Sequence, residues 1–193
     1  MSRYQYVKRF EHHHGREYYP RKLKLDNLIE RIVEESISLE LNVSELYGLF
    51  YRMFEEDKDF WWELKMEEIN HATLLKAAKD VFSDSHKFPQ ELISDSWQTL
   101  LDANNDLLKM IDDFSKNPPS RETAFNTALK IEVCAGELHF QEAMEQTEGS
   151  EILKILQKLN KEDKDHEKRI RAYMQAKKIK IFSAILNYKS LAE

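Results

Sequence analysis

The chain predicts an all-α fold: a four-helix bundle made of two helix pairs joined by a crossover helix, with a further helical extension at the C-terminal end. Three observations carry that expectation. Gly and Pro number only four each in 193 residues, while charged residues make up 33%, a balance that suits long helices with few turns and disfavours an all-β domain. Apolar residues recur at three- and four-residue intervals through most of the chain. The two longest pairs of periodic segments are each closed by a short loop, which sets neighbouring helices antiparallel and leaves the remaining helix to connect the pairs. The corresponding division is a tail over residues 1–24, the bundle over 25–176 and the extension over 177–193.

Taken in order, the tail holds seven basic side chains and two acids, so it is about +5 and the remainder of the net −6 chain about −11. Tyr4, Tyr6, Phe10, Tyr18 and Tyr19 interleave those charges and favour packing on the protein's own acidic surface over nucleic-acid binding. Asp26 is placed to cap a first helix through "NLIERIVEESISLELNVSELYGLFYRMF", with apolar residues at 29, 32, 33, 37, 39, 43, 46, 47 and 50. "EEDKD" reads as a short turn, and a second helix runs from about Asp59 to Phe82 before "SDSHKFPQ" breaks it at Pro89. Ser94 or Asp95 caps the crossover segment "SWQTLLDANNDLLKMIDDF", which "SKNPPS" ends. Ser120 opens the next helix, reaching roughly Gln146; "TEGSE" with Gly149 connects it to a last helix from Glu151 to about Ala176, with Ser150 as its cap. Two related units are too few for a helical repeat array.

Several classes drop out. The single cysteine, Cys134, excludes an intrachain disulfide and a Cys-x-x-Cys knuckle. "MSRYQYVKRF" has no apolar h-region, and no stretch approaches the roughly 18 apolar residues of a membrane span. The expectation is a soluble cytoplasmic protein with no membrane span.

The motif that carries chemistry is Glu68-x-x-His71 in "KMEEINHATLL". Alone it is weak, because 7 His and 23 Glu produce about one such match by chance; Glu11 and His14 share the spacing. An internal duplication separates the two. "ISLELNVSELYGLF" aligns with "LKIEVCAGELHFQE", matching Glu40 to Glu132 and Tyr47 to His139. "WWELKMEEINHATLL" aligns with "LQKLNKEDKDHEKRI", matching Trp61, Leu64, Glu67, Glu68 and His71 to Leu156, Leu159, Glu162, Asp163 and His166. Glu11 has no counterpart. Positions i and i+3 share a helix face, so Glu68 with His71, and Asp163 with His166, can each reach one point. Glu40 and Glu132 add one carboxylate from each remaining helix. Four carboxylates and two imidazoles on one axis offset two divalent ions, and hard oxygen with imidazole suits iron or manganese. Without metal, four acids buried together cost several kcal/mol or take up protons.

On Glu40, Glu68-Ile69-Asn70-His71, Glu132 and Asp163-Lys164-Asp165-His166, over about residues 26–82 and 121–176, the chain resembles the rubrerythrin-like branch of the ferritin-like superfamily. The resemblance implies a ferritin-like bundle with two iron ions, manganese being the alternative, and an oxidoreductase reacting with peroxide, dioxygen or ferrous iron. The metal ligands it implies are Glu40, Glu68, His71, Glu132, Asp163 and His166. The chain departs from the family in three ways. Asp163, one methylene shorter, stands where the family has Glu. Ala135, beside Gly136, stands where rubrerythrins carry an extra carboxylate. No rubredoxin-like Cys₄ module is present, so electrons come from a separate donor protein or from the substrate.

Other residues have a bland and a sharp reading. Tyr47, two turns from Glu40, is a core tyrosine or a hydrogen-bond donor or radical site beside the metals; His139, in the corresponding place, is the candidate for a seventh ligand. Cys134, rotated about 200° from Glu132, reads as a small core residue. Trp61 and Trp62 read as core or dimer contacts, and His12–His14 as surface residues. "AKKIKIFSAILNY" docks on the bundle, on a second subunit in a homodimer, or on a membrane surface. Two further functions stay open: a metal-free scaffold binding a partner through its tail and C-terminal helix, and a di-iron hydroxylase admitting an organic substrate at Ala135–Gly136.

Overall fold

The computed structural model describes residues 21–82, 97–134 and 166–183; among these, the regular elements are helices, and there is no strand. They are α1 (Arg21–Met53), a 3-10 turn (Glu55–Asp57), α2 (Lys58–Phe82), α3 (Trp97–Lys116), α4 (Arg121–Cys134) and a helical stretch, α5, over 166–176. The expected caps at Ser94, Asp95 and Ser150 and the expected reach to Gln146 lie outside the described residues.

The first helix corrects one expectation. It begins at Arg21, so Asp26 is inside α1 and not its cap, and the last residues of the basic segment are helical. Arg, Lys and Leu in "RKLKL" propagate helix well. Later boundaries follow their local chemistry. "EED" forms the 3-10 turn that the short-turn reading anticipated. The Ser120 hydroxyl accepts the Thr123 amide at 3.1 Å and so caps α4.

α1 packs against both α2 and α3. It is pinned to α3 by Asn104, a buried side chain that donates to the Glu35 carbonyl and accepts from Asn42, each at 2.9 Å. The core is continuous through α1, α2, α4 and α5: Leu46, Tyr47 and Phe50, Trp61 and Leu64, Phe125 and Leu129, and Ile170 and Met174 are all fully buried in one cluster. Trp61 lies at its centre, with ring centroids 4.4 Å from Phe125, 5.0 Å from Phe50 and 5.7 Å from Tyr47. Trp62, its neighbour, is half exposed and sits against Tyr51 and Lys65.

A buried ion pair closes one end. Asp57 accepts two bonds from Arg121 at 2.6 and 2.7 Å and a third from the Tyr173 hydroxyl at 2.9 Å, tying the start of α2 to α4 and α5. α5 ends with Lys178 in the left-handed region at φ 56°, where the Ile179 amide reaches back to the Met174 carbonyl and the Lys178 amide to Gln175. That reversal returns the chain to α4: Ile179 is buried, and Asn126 donates to the Lys180 carbonyl and accepts the Phe182 amide. The start of the C-terminal extension therefore docks on the molecule's own helices.

Candidate metal centre

Glu68, His71, Glu132 and His166 occupy places where an apolar stripe would otherwise continue. In α2 the buried positions run Trp61, Leu64, Glu68, His71, Leu75; in α4 they run Phe125, Leu129, Glu132; in α5 they run His166, Ile170, Met174. The 3.6-residue period thus carries polar side chains into the interior beside the aromatic core. Glu68, His71, Glu132 and His166 are all buried, while Glu40, on α1, keeps a side chain 24% exposed.

These five residues converge. One carboxylate oxygen or imidazole nitrogen from each of Glu40, Glu68 and His71 lies within 4.8 Å of the others, and Glu68, Glu132 and His166 form a second such group. Glu68 belongs to both and faces both rings: Oε2 is 3.2 Å from Nδ1 of His71 and Oε1 is 3.1 Å from Nδ1 of His166. Nδ1 of His71 is also 3.6 Å from Glu40, and Nδ1 of His166 is 3.6 Å from Glu132. The two imidazoles lie nearly parallel, 5.4 Å apart. Tyr47, fully buried, donates its hydroxyl to Glu132. The expected sixth ligand, Asp163, lies outside the described residues, as do His139, Ala135, Gly136, Glu11 and His14.

Two side chains to which the sequence reading gave no role adjoin this cluster. Glu67 Oε2 is 2.9 Å from Nε2 of His166, and Arg169 makes a two-pronged bond to the same carboxylate, one prong at 2.8 Å. Glu67 appears in the sequence only as a repeat position matched to Glu162, and Arg169 follows His166 by one turn. Periodicity does not distinguish either from a solvated charge.

The charges are strongly coupled. Burial alone would push Glu68 up, yet His166 and His71 hold it well below the usual carboxylate range. Burial and repulsion from Glu68 push Glu132 up against the opposing pull of His166. Burial would lower His166, but Glu132, Glu67 and Glu68 together raise it well above the usual imidazole value. Glu67, raised by burial, is brought down to about 2 by His166 and Arg169. The pocket therefore attracts positive charge. Although carboxylate oxygens surround His166, neither of its ring nitrogens is aligned with one as a hydrogen bond. Carboxylate oxygens and imidazole nitrogens gathered within 4.8 Å of one another, with the His166 nitrogens unsatisfied by direct hydrogen bonds, are suited to a cation there.

No family model, curated protein or solved structure matches the chain. Among the described residues, no helix is long and apolar enough to cross a membrane.

Proposed function

We propose that the chain is a ferritin-like, rubrerythrin-type four-helix bundle binding two iron ions, or manganese, and acting as an oxidoreductase toward peroxide, dioxygen or ferrous iron. The observation that carries this reading is the pair of donor triads sharing the buried Glu68, supplied by α1, α2, α4 and α5. The residue types fit: hard carboxylate oxygens and imidazole nitrogens suit divalent iron and manganese, and thiolate is not required.

In this reading Glu40 and His71 hold one metal position, Glu132 and His166 the other, and Glu68 faces both. Asp163 is the remaining carboxylate. A bound metal pair supplies electron exchange with the oxidant; the protein supplies placement and shielding. Glu68 and His71 are fixed one turn apart on α2, so their donor atoms move as a unit. The Tyr47 hydroxyl orients Glu132 from the core side, and Trp61 and Phe125 beneath it keep water from that side of the site. Glu40, the most exposed of the five, marks the face on which a small oxidant or ferrous iron enters.

The test is metal content per chain, measured on untagged protein from iron-supplemented medium, with His71→Ala and Glu11→Gln alongside. About two iron or manganese per chain are expected, reduced in His71→Ala and unchanged in Glu11→Gln. No metal after anaerobic ferrous reconstitution, or equal retention in both variants, overturns the reading.

A further inference from the structure

We infer that Glu67 and Arg169 are positioning residues that fix His166 as a ligand through Nδ1, an inference that rests on the metal reading above. The two nitrogens of His166 have different surroundings. Nδ1 faces Glu68 at 3.1 Å and Glu132 at 3.6 Å, both members of the donor triad. Nε2 faces Glu67 at 2.9 Å, a carboxylate that belongs to neither triad. A neutral imidazole that binds a metal through one nitrogen carries its proton on the other, and an acceptor behind the ring fixes that choice and the ring's orientation.

Glu67 is suited to be that acceptor and unsuited to be a ligand. Both of its oxygens are engaged by the Arg169 guanidinium, which removes the freedom to swing toward the cluster. The chain of contacts starts at Arg169 and Glu67, each about one-third exposed, and ends at His166, which is 2% exposed. Arg169 stands one turn after His166 on α5, and Glu67 immediately before Glu68 on α2. The clamp therefore ties the ligand-bearing faces of two helices to each other as well as setting the ring. Nε2 and Glu67 are within contact distance but off the N–H axis; a small rotation of the ring or carboxylate completes the bond.

The first arm of the test is nitrogen-resolved NMR of the zinc-loaded full chain labelled at histidine. His166 is expected to carry its proton on Nε2 with the metal on Nδ1; a proton on Nδ1 overturns the inference. The second arm is cobalt(II) titration of the wild type, Glu67→Ala and Glu67→Gln. The alanine variant should lose roughly 10- to 100-fold in affinity and shift the cobalt spectrum. The glutamine variant, whose amide oxygen still accepts the imidazole N–H, should recover most of that loss. Unchanged cobalt affinity in Glu67→Ala overturns the positioning role. So does a lower melting temperature of the metal-free protein in both variants without a spectral change. If Glu67→Ala does not fold, the NMR arm on the wild type decides. A wild-type chain that takes up no cobalt, zinc or iron brings down the proposed function and this inference together, whereas a metal-binding chain indifferent to Glu67 removes the inference alone.

Discussion

At the scale of single residues, the interior polar groups fall into two kinds that differ in how fully direct hydrogen bonds satisfy them. Asp57 is satisfied by three bonds from Arg121 and Tyr173. Replacing Arg121 with Met removes the charge partner of that buried carboxylate and leaves it the Tyr173 hydroxyl, and urea unfolding should show a loss of about 3 kcal/mol. In the candidate metal centre the His166 ring nitrogens lack a direct hydrogen bond, so a replacement there forfeits less. Tyr47→Phe deletes the hydroxyl that Glu132 accepts; the expected cost is about 1–3 kcal/mol in the metal-free protein, measured by the same urea titration. A cost indistinguishable from zero would mean that the phenol contributes nothing to holding Glu132. The central residues of the site were legible in the sequence because the duplication repeats an acid and an acid-x-x-His at matching positions. Glu67 and Arg169 were not. Their significance depends on how α2 and α5 face each other, and charged residues on half-exposed helix faces carry no one-dimensional mark of that.

At the scale of elements, the helices were readable wherever the apolar period and a breaker agreed. Ser120 after "NPP" starts α4 as expected, and "EED" turns the chain between α1 and α2. The start of α1 was misread because Asp26 has the chemistry of a cap but lies within a run of strong helix formers, and propagation through that run outweighs a single capping side chain. The reversal at Lys178 was also hidden, because a left-handed residue there is a lysine and not the glycine that usually announces one. α1 contains one improvable position. Gly48 is interior to the helix, and a Cβ built there would meet only the flexible end of Lys65, with Nζ at 3.2 Å. Gly48→Ala should stabilise the protein by about 0.5–1 kcal/mol, since the ammonium can move aside while the unfolded chain loses freedom. Thermal melting should show a rise of roughly 1–4 °C for a chain of this length. A fall would mean that the half-buried Lys65, whose ammonium lies over the Trp62 ring, is held in place too firmly to move aside.

At the scale of the whole molecule, the same buried charges link folding to protons when metal is absent and to metal when it is present, with opposite pH dependence. In the metal-free protein His166 binds its proton more tightly than in the unfolded chain. Its contribution to stability is full below its ordinary value of 6.5 and is lost as pH rises above it, at up to about 1.4 kcal/mol per pH unit for one proton. Glu67 is lowered from 4.5 to about 2, so its contribution is present above 4.5 and is lost as pH falls toward 2; Glu68 is lowered as well and acts in the same direction. Glu132 is raised, so it favours folding below 4.5 and works against it as pH climbs. Together these groups place their greatest contribution in mildly acidic solution, between about 4.5 and 6.5. A metal competes with the proton on His166 and prefers ionised carboxylates, so its stabilisation grows as pH rises. The melting temperature should therefore fall from pH 6 to pH 8 in the metal-free protein and fall less, or rise, in the metal-loaded one. Calorimetry of the two forms across that range tests this directly. Parallel curves would mean that the cluster does not exchange a proton for a metal, and would separate the buried charges from the metal reading even if metal were found bound elsewhere on the chain.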